Sequence, residues 1–144
     1  MHRSFLFAAL LCVVAFAGTP NTASAAQRTA CQMLPASTVQ TILGSAVMTS
    51  GTGAEPTVGN GVTSYQCIYV GEKGGASLSI FYNATAAQAS AQATMNTARF
   101  ARMGTRHGAS IAGSKGNVAF LVSVRNASDA GKLKALLAAA MRNS

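Results

Sequence analysis

The clearest pattern in the chain is a pair of stretches with alternating apolar and polar residues. Residues 64–70 and 76–83 alternate in this way and flank a short Gly-rich segment at 71–75. Side chains alternate between the two faces of a strand, and a short Gly-containing turn between two such runs is typical of a β-hairpin. Both faces of each stretch carry apolar residues, which predicts strands in the interior of a sheet rather than at its edge.

Helical periodicity indicates three further elements. The spacing of apolar residues predicts helices over 35–43, 83–103 and 128–142. Gly44 is placed to end the first helix in a left-handed conformation, and Ser128 is placed to cap the last one.

The remaining segments predict one clear strand and one weak strand. Alternation over 117–125 predicts the clear strand, and 46–49 the weak one. Residues 50–62 are rich in glycine and are expected to form a surface loop. Residues 108–115 resemble a phosphate-binding loop, but the order of lysine and serine is reversed, so a nucleotide site is not expected. Neighbouring strands with helices before and after them predict an α+β fold, an antiparallel sheet of about four to five strands with two to three helices packed on one face.

The N-terminal segment has the pattern of an export signal. Arg3 is followed by an uncharged apolar run, and Ala23-Ser24-Ala25 fits the site that a signal peptidase recognises. A retained lipid anchor at Cys12 is the alternative, but Leu11 precedes that cysteine where a small residue is needed. We therefore expect residues 1–25 to be a cleaved signal peptide, 26–144 to be a single domain without a transmembrane span, and the protein to be periplasmic or secreted.

Two cysteines remain after removal of the signal peptide. Cys31 and Cys67 form an even pair in a chain expected to reach an oxidising compartment, which predicts a disulfide bond. A metal site built on the two thiols is the alternative, but no histidine partners lie nearby in the sequence, so no metal site is predicted.

The charge of the chain is positive but thinly spread. The whole sequence carries a net charge of +8, which becomes +7 when residues 1–25 are removed. The cations do not form the dense basic block that is typical of nucleic-acid binders, so no nucleic-acid partner is expected. Arg99, Arg102, Arg106 and His107 cluster near the end of the long helix and are a candidate anion-binding patch. Compensation of the helix dipole explains the same cluster without a ligand.

Residues for catalysis are scarce in the exported part. It contains one histidine (His107), one aspartate (Asp129) and two glutamates, Glu55 and Glu72, which both fall in Gly-rich segments. No G-x-S-x-G motif and no zinc-ligand spacing accompany them. The sequence therefore predicts a protein that is not an enzyme and that uses no cofactor.

Three short motifs carry a resemblance to a known group of proteins. They are Cys31-x-x-Leu34, then Val39-x-x-Ile42-Leu43-Gly44, then Ser64-x-x-Cys67-x-Tyr69 followed by a strand. The chain resembles small exported bacterial envelope proteins, many of them lipoproteins, whose function is unknown. The resemblance implies an α+β fold with helices on an antiparallel sheet and a bridge between the two cysteines. It brings no catalytic residues, and this chain lacks the lipid-attachment cysteine of the lipoprotein members.

Export, a small disulfide-bonded fold and a positive charge favour a non-catalytic binding module of the cell envelope or periplasm. Its expected partner is an envelope or secreted protein, or an anionic polymer or lipid surface. The alternative hypothesis is an inhibitor of a secreted or host enzyme that acts through the loop at 50–62 or the turn at 71–75. The sequence does not predict an oligomeric state.

Overall fold

The computed structural model of the protein describes residues 26–50, 57–59, 61–103 and 108–144. The predicted signal peptide and residues 51–56 of the predicted loop lie outside these ranges. The elements in chain order are α1 (Ala30–Met33), α2 (Ala36–Leu43), β1 (Met48–Ser50), β2 (Thr57–Gly59), β3 (Val62–Gly71), β4 (Gly74–Tyr82), α3 (Ala86–Met103), β5 (Ala109–Lys115), β6 (Val118–Val124), a 3₁₀ helix (Ala127–Lys132) and α4 (Leu133–Arg142).

The strands form one antiparallel sheet in the order β1-β3-β4-β6-β5. The short strands β1 and β2 both pair with the same edge of β3, β1 with residues 68–70 and β2 with residues 62–64. The sheet is therefore five strands wide, which confirms the predicted antiparallel sheet. Strands β3 and β4, the predicted hairpin, are interior strands as expected.

The hydrophobic core lies between one face of the sheet and the helices α1, α2 and α4. Its largest fully buried side chains include Tyr69, Phe120 and Leu136. Two of the three predicted helices, α2 and α4, thus share this face with α1, within the predicted two to three. Helix α3 contacts β5 and β6, and its buried residues Ala89 and Ala93 do not belong to the core cluster. It lies on the opposite face of the sheet.

Helix α1 is fixed to the sheet by a disulfide bond between Cys31 and Cys67, whose Cα atoms are 5.2 Å apart. The predicted bond is thereby confirmed. Leu34 directly follows α1. Its carbonyl oxygen accepts a hydrogen bond from the buried hydroxyl of Tyr69. The disulfide and this hydrogen bond place the N-terminal helices over the core face of β3, which carries Tyr65, Cys67 and Tyr69.

The hairpin turn is tighter than the five-residue turn that the glycines predict. Gly71 and Gly74 are themselves paired, so only Glu72 and Lys73 form the turn. The carbonyl oxygen of Lys73 accepts a hydrogen bond from the Asn126 side chain, which braces the turn from outside the hairpin. Glycine is required at position 74 because its φ is +140°.

Residues 109–115, which resemble a phosphate-binding loop, form the edge strand β5. Two local predictions differ from the structure. The predicted loop at 50–62 contains β2. Ser128 does not cap the last helix, because the chain first forms a 3₁₀ helix and α4 begins at Leu133. Gly44 does end α2 with a φ of +73°, as predicted.

No helix in the described ranges combines the length and the apolar character needed to cross a bilayer.

Candidate functional site

The face of the sheet that points away from the core is rich in serine. Strand alternation and cross-strand register place these side chains on one surface, which we call the outer face. Its members on β3, β4, β6 and β5 are Gln66, Ile68, Val70, Ser77, Ser79, Phe81, Ala119, Leu121, Ser123, Ser110, Ala112 and Ser114. In one row across the sheet, Ser110 pairs with Ser123, which pairs with Ser77.

Helix α3 covers the half of the outer face that is formed by β5 and β6. Ala89 and Ala93 on the helix and Ala119 on β6 are buried, and small residues such as these let a helix approach a sheet closely. Near them the hydroxyl groups of Ser110 and Ser123 lie 2.8 Å apart and share a hydrogen bond. This half of the outer face is a second, small packed layer.

The other half of the outer face has no described helix over it. It consists of Gln66, Ile68, Val70, Ser77, Ser79 and Phe81, and we call these six residues the open half. Gln66 is exposed and 39% of the surface of Val70 is accessible, while the other four are half-buried. The open half is therefore a mixed hydroxyl, amide and apolar surface on a rigid pair of strands.

One side of α3 borders the open half. Asn83, which directly follows β4, donates a hydrogen bond of 2.9 Å from Nδ2 to Oε1 of Gln92. This contact turns the side of the helix that carries Gln92 toward β4. Residues three and four apart share a side of a helix. The side that faces β4 therefore carries one stripe of residues along the border of the open half, namely Gln88, Gln92, Met95, Arg99 and Arg102. We call this stripe the α3 wall.

The large apolar side chains that the described residues expose all border this surface. They are Met48 (77% exposed), Val70 (39%) and Met95 (64%). Met48 pairs directly with Val70 across β1 and β3, so both project from the outer face. Met95 belongs to the α3 wall on the opposite side of the open half. Clustering of exposed apolar residues on one surface is typical of an interaction site, whereas scattered ones are not.

Two members of the predicted anion-binding patch lie in the α3 wall. Arg99 and Arg102 are exposed, and no hydrogen bond or ion pair holds either guanidinium among the described residues. The other two members, Arg106 and His107, lie outside the described ranges. The patch remains a prediction, and the structure adds that its helical part borders an apolar surface.

A cavity of about 370 Å³ lies at the hairpin end of the open half. Met48 and Val70 line it together with the segment Gly44–Ala46 and the turn residues Glu72 and Lys73. Its lining is more apolar than that of the cavity of about 400 Å³ beside Arg28 and Tyr82. In that second cavity the polar groups bond to each other, since the Tyr82 hydroxyl donates to the Arg28 carbonyl oxygen at 2.9 Å.

The two carboxylates of the described part, Glu72 and Asp129, do not line a common cavity. Asp129 is engaged in an ion pair of 2.9 Å with Lys132, and Glu72 lies at the exposed hairpin turn. Burial raises the pKa of Tyr69, whose hydroxyl serves to hold the Leu34 carbonyl. No group of three or more potential metal ligands occurs among the residues that the structure describes.

Sequence reasoning missed the open half because alternation alone does not show which face of the hairpin the helices cover. The available signal was the coincidence of two patterns. Ser77 and Ser79 alternate with buried Leu78 and Ile80, and a stripe with Met95 and the arginines follows in the next helix. Only the position of α3 over β5 and β6 shows that the two patterns border one surface.

Comparison with known proteins adds no relative. No protein-family model, no curated protein and no solved structure matches the chain. A function for this protein therefore has to be argued from the surface described above.

Proposed function

We propose that this protein is an exported, non-catalytic binding module of the cell envelope or periplasm that contacts an anionic partner. The observation that carries the proposal is the meeting of exposed apolar side chains, at the open half and the α3 wall, with arginines that no ion pair holds within the described ranges. A surface of this kind gains binding energy from apolar burial, and its charges select the partner and speed association.

The charge distribution supports an anionic partner. The described part contains nine Lys and Arg residues and two acidic residues, Glu72 and Asp129. Asp129 is already paired with Lys132, so most cations have no carboxylate partner among the residues that the structure describes. In a protein with a net charge of +8 before processing, such cations attract acidic proteins and anionic polymers.

The rigidity of the surface also suits binding. The floor of the open half is built on two interior strands, and the wall on an 18-residue helix. The start of that helix is tied to the sheet through Asn83, whose backbone N–H donates to the Asn117 carbonyl oxygen at 2.8 Å. A surface that is ordered before binding loses little conformational entropy when a partner arrives.

The test is retention of the exported, processed protein on envelope extract immobilised on a resin. We expect retention at low ionic strength that falls as salt rises, because ions screen contacts between exposed charges. Neutralising the acidic groups of the extract with a carbodiimide and an amine is the matched control, and it should abolish retention. Retention that is indifferent to both treatments would contradict an anionic partner.

The inhibitor hypothesis is the second candidate, and the braced hairpin turn favours it. Glu72 and Lys73 are exposed, while Asn126 holds the turn and the Arg125 N–H donates to the Gly75 carbonyl oxygen at 2.9 Å. Inhibitory loops bind tightly when they are rigid before contact. Changing Glu72 and Lys73 to Ala should abolish inhibition of a secreted hydrolase if the turn enters its active site, and unchanged inhibition would exclude this turn.

A further inference from the structure

We propose that the open half and the α3 wall together form a groove for an amphipathic helix of a partner protein, with apolar residues on one side and acidic residues facing Arg99 and Arg102. This inference rests on the proposed function and specifies the partner of the same surface.

The dimensions of the groove fit a helix. The open half lies on β3 and β4, and β1 extends it beside residues 68–70. Neighbouring strands lie about 4.8 Å apart, so the floor beside α3 is about 10 Å wide where β1 is present. An α-helix with its side chains has a diameter of about 10 Å. Helix α3 already occupies the equivalent place over β5 and β6, so a second helix laid beside it would complete a layer of two helices on the outer face.

The length of the groove fits as well. Strand β4 has nine residues, which corresponds to a length of about 26 Å. A helix rises about 1.5 Å per residue, so about 18 residues would follow the groove from end to end. A single extended strand would contact the floor but would leave Met95 on the wall without a partner.

The chemistry of the groove defines the two sides of the partner helix. Ile68, Phe81 and Val70 on the floor and Met95 on the wall offer apolar contacts. The wall contains no acidic residue, and Arg99 and Arg102 both point to the same border. A helix with an apolar stripe and carboxylates on its neighbouring flank satisfies both features, which is the helix-in-groove mode of recognition.

A second copy of this chain fits the groove less well. Each copy would bring the same unpaired Arg99 and Arg102 and the same net positive charge to the interface. Like charges brought together at an interface are unfavourable. The partner is therefore a different, acidic chain.

The experiment uses a designed probe and the exported, processed protein labelled with ¹⁵N. The probe is an 18-residue capped peptide with leucine at every third or fourth position and glutamate on both flanks, and its control carries lysine in place of each glutamate. We expect the acidic peptide, and not the basic one, to shift the amide resonances of the open half and of the α3 wall. Circular dichroism should show that the acidic peptide gains helicity on binding.

Two charge-reversal variants separate this groove from general electrostatic attraction. Arg99→Glu with Arg102→Glu alters the wall, and Lys134→Glu with Arg142→Glu alters the exposed surface of α4 by the same net charge. We expect the wall variant to bind the acidic peptide about tenfold more weakly, since two exposed attractions become two repulsions. The α4 variant should lose far less affinity for the peptide.

Three results would overturn the inference. The first is an equal loss of affinity for the acidic peptide in both variants. The second is a set of amide shifts that map away from the groove. The third is sedimentation that shows a dimer, with the groove protected, in the absence of peptide. Failure of the groove and failure of the proposed function are distinguishable. If the wall variant is retained on envelope resin as well as the unaltered protein, the groove is wrong and the anionic partner stands. If the resin retains neither protein, the function is wrong, while the peptide titration still tests the groove.

Discussion

Removal of the disulfide bond should cost the protein a large share of its net stability. The bond closes a loop with a sequence separation of 36 between Cys31 and Cys67. The chain-entropy relation assigns a stabilisation of about 4 kcal/mol to a loop of this length. Small domains have a net stability of about 5 to 15 kcal/mol, so the bond accounts for a large share of it.

The assay is urea unfolding of the purified protein with its disulfide formed and of its variant Cys31→Ala with Cys67→Ala. With a slope of about 2 kcal/mol per molar urea, the loss should lower the unfolding midpoint by about 2 M. Cys67 is only 1% exposed, so the alanine variant also loses core packing. The unaltered sequence with its thiols reduced is the matched control, because it keeps both sulfur atoms and loses only the bond.

The reduced protein should show most of the decrease in the free energy of unfolding, and the alanine variant should show a somewhat larger decrease. A loss below about 1 kcal/mol in the reduced protein would refute the reasoning, since it would mean that the loop is already constrained in the unfolded chain. Two free thiols in mass spectra of the exported protein would refute it at an earlier step.

Three further changes test single contacts by urea unfolding. Tyr69→Phe leaves the Leu34 carbonyl without its donor and should cost about 1 to 3 kcal/mol at neutral pH. Burial raises the pKa of Tyr69 above its usual 10.0. The unaltered protein should therefore lose stability as pH rises beyond that value, by up to about 1.4 kcal/mol per pH unit. If the Tyr69→Phe variant loses stability with pH just as steeply, this tyrosine is not the source. Asn96→Ala removes an amide nitrogen that is buried without a hydrogen-bond partner among the described residues and should stabilise the fold by about 1 kcal/mol; a loss of stability would show that the amide has a partner. Gly108→Ala should cost about 3 kcal/mol, because φ is +110° there and the added Cβ would lie 1.9 Å from the Val124 carbonyl oxygen; a neutral result would show that the backbone relaxes.

The parts of the fold that the sequence predicted are those with a strong local signal. The hairpin strands alternate over seven or more residues, and the last helix has a continuous apolar stripe. The disulfide followed from cysteine number and the expected compartment, without knowledge of the fold. In each case the structure is determined by a pattern within one segment or by a single pair of residues.

The sequence left strand β5 unassigned because its identity depends on its neighbour. Its residues Ala-Ser-Ile-Ala-Gly-Ser-Lys are mostly small, so apolar alternation is weak. Every residue of β5 is nevertheless paired with β6, a strand with a strong pattern of its own. Gly113 on β5 also allows Leu137 of α4 to approach, since a Cβ there would lie 3.1 Å from one of its methyl carbons. Such tertiary requirements override local propensity.

The candidate site could be predicted only in fragments. The cluster of arginines near the end of α3 was visible in the sequence, as a patch for anions. Its contact with an apolar floor depends on which side of α3 faces β4, and the hydrogen bond between Asn83 and Gln92 determines that. Neither residue carries a signal in the sequence that distinguishes it from an ordinary surface amide.

The most direct test of the proposed binding surface is site-specific photocrosslinking in living cells that produce the protein. A benzophenone amino acid replaces Ser79 at the centre of the open half, or Ala138 on the exposed side of α4 as the control. We expect irradiation to link position 79, and not position 138, to another protein, and mass spectrometry to map the link to an acidic segment with helical apolar spacing. Equal crosslinking at both positions, a link to a basic or extended segment, or a link only to a second copy of this chain would contradict the account.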